Sequence, residues 1–310
     1  MPIAWPKVIQ SETQDAQIGA LQVNFCSGSR AITEHQLKRL VIYCPGYDLR
    51  PVQQSFALLR SEFANFLRIR QIGGVLSPVD AAMEKDGGSA AWSGRVFWPE
   101  GTVETRFVQL DWRDTIKPDF ERSWFRVMTD ALWSFYHYAR AGGYNAVLKS
   151  NWAHSIFCLY PAVGFALYCA VSLVPPVLLA PAVLGWGSML APSGVASLLS
   201  WFFLFAGSAL WMAGVYGFTR LIEPWTYFWY LVHSWYFMAR LARNVHPQML
   251  ARIEECADTI FALSNQADDD EEVVLVSHSC GTFVAIYILA AVLRRNPDIA
   301  KRKGGFAFVT

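Results

Sequence analysis

Apolar residues recur along this chain with three different periods. From Trp152 to Val174, and again from Leu198 to Phe218, they are almost continuous, and no Asp, Glu, Lys or Arg lies between Lys149 and Arg220. A helix needs about 20 apolar residues to cross the hydrocarbon core of a bilayer, so two transmembrane helices are expected over those ranges. The stretch between them carries Pro175, Pro176, Pro181, Gly185, Gly187, Pro192 and Gly194. It is expected to be a broken or re-entrant connection, with a third span as the alternative.

On either side of this segment the periods change. Ile18 to Phe25 alternates as a strand does, and Leu40 to Cys44 is a short apolar run of the buried-strand type. The chain then turns at Pro45-Gly46. Asp48 is placed to cap a helix with Pro51 in its first turn, along which Phe56, Leu59, Phe63 and Leu67 recur at helical spacing as far as Arg70. Glycines and polar residues from Gly73 to Gly94 read as a loop. Arg95–Trp98 and Val103–Trp112 read as a hairpin turning at Pro99 to Thr102. A helix from Pro118 to Arg140 is stopped by Gly142-Gly143. Beyond the apolar segment, Met249, Ile253, Ile260 and Leu263 mark a helix from Pro247, Val273–Val276 is a compact strand, and an apolar helix runs from Thr282 to Arg295. Phe306 opens one more strand.

Strands alternating with helices imply an α/β domain with a mostly parallel sheet flanked by helices, here interrupted by a transmembrane helical hairpin. The expected parts are residues 1–148 and 223–310 of that domain, with 149–222 as the insertion. Composition agrees: the chain is 54% hydrophobic and only 16% charged, more apolar than a typical soluble domain. Its net charge of +1 lacks the concentrated basic face that nucleic acid requires. Arg140 and Lys149 precede the insertion and Arg220, Arg240 and Arg243 follow it. Positive flanks favour the cytoplasm, so both ends are expected there, with an even number of crossings.

The cysteines, Cys26, Cys44, Cys158, Cys169, Cys256 and Cys280, are widely spaced with no metal-ligand pattern, and no metal or cofactor is expected. Met1 to Gln17 is polar and carries no signal-peptide core. Between Glu223 and Arg243 aromatic residues crowd together, including Trp225, Tyr227, Phe228, Trp229, Trp235 and Phe237. They suit either the membrane interface or packing on the domain.

One segment carries chemistry. A serine hydroxyl is a poor nucleophile unless a base takes its proton and backbone donors await the oxyanion. A sharp strand-to-helix turn presents a serine to both, and its neighbours must be small because the turn is tight. Here the strand Val273–Val276 enters, Ser277-His278-Ser279-Cys280-Gly281 turns, and a helix leaves. With Val-Ser-His-Ser-Cys-Gly at 276 to 281 and Ile-Tyr-Cys-Pro-Gly-Tyr-Asp at 42 to 48, the chain resembles the α/β-hydrolase superfamily of lipases and esterases over roughly Leu40 to Arg140 and Pro247 to Thr310. The resemblance implies Ser279 as nucleophile and the backbone N–H groups of Tyr47 and Cys280 as oxyanion donors, with His278 beside the nucleophile but not its base.

Two departures accompany it. Ser277 stands where the motif has its first glycine, and after Ser279 the chain offers only Asp298 as an acid and no histidine. A chain cut short after the nucleophile, a substitute histidine, and a fold without catalysis all remain open. An apolar strand ending at Thr310 favours the first, since it leaves backbone groups unpaired. His35, His137, His154, His233 and His246 precede the nucleophile and read as surface, interfacial or core residues. Asp111 and Asp114 follow a strand end, where catalytic loops gather, but a helix-capping or solvated role is the simpler expectation. The expected function is a membrane-anchored serine hydrolase acting on an ester or acyl lipid; the alternative is a non-catalytic hydrolase-like module for anchoring or partner binding. A transporter has less support, because the apolar segment has no charged residue to mark a pathway.

Overall fold

The computed structural model describes residues 21–23, 36–80, 89–190 and 194–310. In chain order its first elements are β1 (Leu21–Val23), β2 (Gln36–Cys44), α1 (Val52–Arg70), β3 (Gly73–Leu76), β4 (Ala90–Trp98), β5 (Gly101–Gln109) and α2 (Arg113–Phe120). There follow α3 (Trp124–Arg140), α4 (Gly143–Ser150), α5 (Trp152–Leu190), α6 (Gly194–Leu221), α7 (Glu223–Thr226) and α8 (Phe228–Ala242). The last are α9 (Pro247–Gln266), β6 (Glu272–Ser277), α10 (Cys280–Arg295) and β7 (Phe306–Val309). Contacts divide them into two compact units: Phe120–Arg240, and the described residues up to Asp119 together with Leu241–Thr310.

The second unit is built on one sheet in the order β1-β3-β4-β5-β2-β6-β7. β5, β2, β6 and β7 are parallel, whereas β1, β3, β4 and β5 pair antiparallel. The sheet is therefore mixed, not mostly parallel. β4 and β5 are joined only by Pro99-Glu100, a link too short for any but antiparallel neighbours. The stretch Gly73–Gly94, expected as loop, contains β3 and the start of β4. At Gly74 a Cβ would lie 2.9 Å from Leu67 Cδ2, so that glycine admits α1 to the sheet. Of the expected strand Ile18–Phe25, Leu21–Val23 forms β1 and the rest lies outside the described residues.

Side chains alternate across a sheet, which assigns each helix to a face. Val41 pairs with Phe107 and Phe107 with Trp92; the Phe56 ring of α1 packs 5.5 Å from that of Trp92, so α1 covers this face. Leu40, Ile42 and Cys44 point the other way and are fully buried. There Cys44 Sγ donates to the Gly281 carbonyl of α10 at 3.4 Å, and α9 packs on α10. The capping role expected of Asp48 is not seen: Pro51 is the residue preceding α1, and Asp48 accepts the Arg50 backbone N–H at 2.9 Å and pairs with its guanidinium. The expected helix Pro118–Arg140 is split, with α2 ending at Phe120 and Ser123 in extended conformation before α3.

The other unit is helical. Ser155–Trp186 of α5 and Ser197–Leu221 of α6 are each long and apolar enough to cross a membrane, and little of either is buried. The expected break at Pro175 is not found, because α5 runs through Pro175, Pro176 and Pro181 to Leu190. A proline removes the hydrogen bond to the carbonyl four residues earlier and leaves the rest of the helix paired. The carbonyl that Pro175 leaves without a helical donor, that of Val171, accepts the Trp211 indole N–H of α6 at 2.9 Å.

Where α5 meets the neighbouring helices, Val127 and Ala131 of α3, Phe165 and Tyr168 of α5, and Phe228, Trp229 and Val232 of α8 form a buried cluster. The buried Glu223 carboxylate accepts the backbone N–H groups of Trp229 and Tyr230, both at 2.9 Å, and so caps α8. The aromatic stretch after Arg220 thus mostly packs inward: Phe228, Trp229, Trp235 and Phe237 are buried, while Trp225 and Tyr227 are exposed.

Candidate functional site

The parallel strands β5, β2 and β6 end side by side, with Cys44 of β2 paired to Ser277 of β6. From these ends α1 leaves β2 toward one face and α10 leaves β6 toward the other. Adjacent parallel strands whose connections diverge in this way open a crevice at their carboxyl ends, the place where open α/β sheets bind ligands.

Ser279 stands at that crevice. The ladder continues one step past the strands, His278 N–H donating to the Cys44 carbonyl at 3.3 Å, before the chain bends. Gly281 N–H donates to the His278 carbonyl at 2.9 Å and Thr282 N–H to the Ser279 carbonyl at 3.0 Å, which closes the turn into α10. Ser279 has φ 55° and ψ −129°, a conformation that costs a non-glycine residue about 1–3 kcal/mol. Its side chain is exposed and makes no capping hydrogen bond to the helix. It precedes the N-terminus of α10, whose first turn has no acidic residue, so the helix dipole favours negative charge there.

Close approach of two backbones shapes this turn. A Cβ at Gly281 would lie 2.2 Å from the Pro45 carbonyl oxygen and 2.7 Å from that of Cys44. A Cβ at Gly46 would lie 3.5 Å from Ser279 Cβ and 3.3 Å from the His278 carbonyl oxygen. The Pro45-Gly46 corner and Ser279, 233 residues apart in the chain, are therefore in contact. Ser277, at the first small position of the motif, is buried. Its hydroxyl faces the α10 side, within 3.3 Å of Thr282 Oγ1 and 3.4 Å of the Val309 carbonyl, tying the turn to β7.

The corner is braced from below. Tyr47 is fully buried and its hydroxyl donates to Asp119 Oδ2 at 3.0 Å. Cys280, the first residue of α10, has its side chain buried. Both residues expected as oxyanion donors thus flank the crevice by sequence position, Tyr47 after Gly46 and Cys280 after Ser279. Asp111, at the end of β5, accepts the Arg113 backbone N–H at 3.0 Å and its guanidinium at 2.9 and 2.6 Å. Burial alone raises the Asp111 pKa, but the Arg113 hydrogen bonds and charge outweigh it and hold the carboxyl below its ordinary value. Asp114 pairs with Arg252. Burial pushes the Cys44 thiol far up, so it is an inert packing residue.

Of the histidines, His246 is buried at the start of α9, Nδ1 accepting the Met249 N–H at 3.4 Å. His278 is exposed beside Ser279, His35 lies outside the described residues, and His137, His154 and His233 belong to the other unit. The Tyr47–Asp119 bond and the Arg113–Asp111 pair were not legible beforehand; the first joins residues 72 positions apart, with no local signal. No family model, curated protein or solved structure matches this chain.

Proposed function

We propose that this chain is a membrane-anchored serine hydrolase with an α/β-hydrolase-like sheet, acting on an ester or acyl lipid through an acyl-enzyme on Ser279. The observation that carries the reading is the strained backbone of the exposed Ser279 at a strand-to-helix turn, set against the Pro45-Gly46 corner at the carboxyl ends of β2 and β6. In the proposed reaction Ser279 Oγ bonds to the acyl carbon while a general base takes its proton, and as the ester C–O bond breaks the same proton passes to the departing alkoxide, which leaves as the alcohol. Water then releases the acid. The backbone N–H groups of Tyr47 and Cys280 are assigned to the oxyanion, and α10 adds its dipole. No metal or organic cofactor is needed for this chemistry.

The long apolar lengths of α5 and α6 support a bilayer hairpin, and the flanking Arg140, Lys149, Arg220, Arg240 and Arg243 support placing the sheet unit on the cytoplasmic side. Lipid-borne esters would then be the nearest substrates. Full-length protein in vesicles is expected to hydrolyse a fluorogenic acyl ester, and Ser279→Ala to lower turnover by roughly 10³-fold or more. Turnover unchanged in Ser279→Ala would overturn the assignment.

A second reading, a non-catalytic anchoring module of the same fold, is favoured by one set of contacts. The acids at these strand ends, Asp48 and Asp111, are held by Arg50 and Arg113, and His246 is buried as a helix cap. Wild-type protein without any turnover would support it.

A further inference from the structure

Helix α3 is apolar on two opposite faces. Val127 and Ala131 point into the buried cluster with Phe165 and Tyr168 of α5, and Ser134 is buried on the same side of α3. Phe125, Leu132 and Tyr136, at positions i, i+7 and i+11, form the reverse face and are 69%, 60% and 56% exposed. An exposed apolar stripe on a helix already anchored by its other side marks a surface that something covers.

Two observations indicate what that is. The first is the level at which α3 packs on α5. Trp124 Nε1–H donates to Tyr168 OH at 2.9 Å, and the rings of Phe135 and Phe165 are 5.6 Å apart. Buried positions on α5 end at Ser172, and none of the described side chains from Leu173 to Trp186 is buried. The apolar length Ser155–Trp186 is about 48 Å at 1.5 Å per residue, longer than the roughly 30 Å hydrocarbon core, so the part of it on which α3 packs lies toward or beyond the edge of that core.

The second observation is charge. Arg126 and Arg140 of α3 and Lys149 of α4 are exposed, and none makes an ion pair among the described residues, while Asp130, the acid on α3, is taken by Arg122. The Arg140 guanidinium donates to Tyr136 OH at 3.1 Å, at the rim of the apolar stripe.

We infer that α3 and α4 form an interfacial shelf, with Phe125, Leu132 and Tyr136 seated in the outer acyl region and Arg126, Arg140 and Lys149 binding the phosphates of anionic lipids. It rests on the reading that α5 and α6 cross the bilayer. It gives the interfacial role, which composition allowed to the aromatic stretch after Arg220, to a segment that falls mostly within the expected 1–148 part of the α/β domain.

The test is photo-crosslinking of the full chain in vesicles of equal phosphatidylserine and phosphatidylcholine, with p-benzoylphenylalanine replacing Leu132 in one preparation and Leu178, which lies inside the span, in another. Phospholipid adducts at both positions are expected, enriched in phosphatidylserine at position 132. Neutralising Arg126, Arg140 and Lys149 to Gln is expected to remove that enrichment, by roughly fivefold per charge. Lipid adducts at 178 with only protein adducts, including a second copy of this chain, or none at 132 would overturn the shelf and leave the spans intact. Absence of lipid adducts at 178 would overturn the spans and the shelf with them. An adduct composition at 132 equal to that of the vesicle would overturn the anionic-lipid contact.

Discussion

Replacing Gly281 by Ala tests the geometry on which the site depends. The added methyl would sit 2.2 Å from the Pro45 carbonyl oxygen and 2.7 Å from that of Cys44, against ordinary C···O contacts of about 3.3 Å or more. Both obstacles are backbone, so no rotamer change relieves them. The end of β2 must retreat from α10 by roughly 1 Å to restore such contacts. That movement lengthens the His278 N–H to Cys44 carbonyl bond and the Cys44 Sγ to Gly281 carbonyl bond, now 3.3 and 3.4 Å, and draws Gly46 away from Ser279. Overpacking costs about 1–3 kcal/mol and a weakened hydrogen bond about 1 kcal/mol. Alanine returns up to about 1 kcal/mol of helix propensity. The net is a loss of about 2–3 kcal/mol, which for a unit of this size lowers Tm by roughly 5–10 °C. Thermal unfolding in detergent by tryptophan fluorescence measures it, with Gly207→Ala as control, since nothing lies within 4 Å of a Cβ at that position. Equal Tm values for Gly281→Ala and the parent would refute the close approach of β2 and α10, and with it the placement of Ser279.

Three further outcomes are expected. Trp211→Phe leaves the Val171 carbonyl without its partner across the hairpin and should cost about 1 kcal/mol in an SDS unfolding titration; no change would mean that water or another donor replaces the indole. Burial first, then the charges of Arg122 and Arg220, lowers the His233 pKa from 6.5 to about 4. The unfolded chain therefore takes up a proton near pH 6.5 that the folded chain refuses until about pH 4. Stability should fall as pH drops through that window, by about 2 kcal/mol between pH 8 and 5, and His233→Phe should flatten the dependence. Tyr47→Phe removes a donor from the buried Asp119 carboxylate at a cost of about 1–3 kcal/mol. In a double-mutant cycle with Asp119→Asn the pair should show a coupling of at least about 0.5 kcal/mol; strict additivity would remove the brace from under the corner.

Much of the frame was legible where apolar pattern and turn chemistry coincide. Val273–Val276 reads as a strand because three valines and a leucine sit between polar residues, and β6 spans Glu272–Ser277. Phe56, Leu59, Phe63 and Leu67 mark a helix that does run to Arg70. Gly142 stops α3 because it takes φ +71° there. The misreadings share a cause, which is that glycine and proline have tertiary uses that imitate local breaks. Gly74 looks like a loop residue but is an approach point for Leu67. Pro175 looks like a helix end but sits inside α5, its missing hydrogen bond met by Trp211 from α6. At the site, the turn at Ser279 could be expected from its neighbours. Its contact with Gly46 could not, because only the pairing of β2 with β6 brings them together. The aromatics after Arg220 suit an interface or a core by composition alone, and the burial of Trp229 and Phe237 shows packing for those two.

The most direct test of the hydrolase reading is to treat the full-length, membrane-bound protein with a fluorophosphonate and map the adduct by peptide mass spectrometry. A single adduct on Ser279, with Ser277 unmodified and labelling abolished by Ser279→Ala, is the expected result. An adduct on another residue, or a protein that turns over esters while Ser279 stays unmodified, would contradict it.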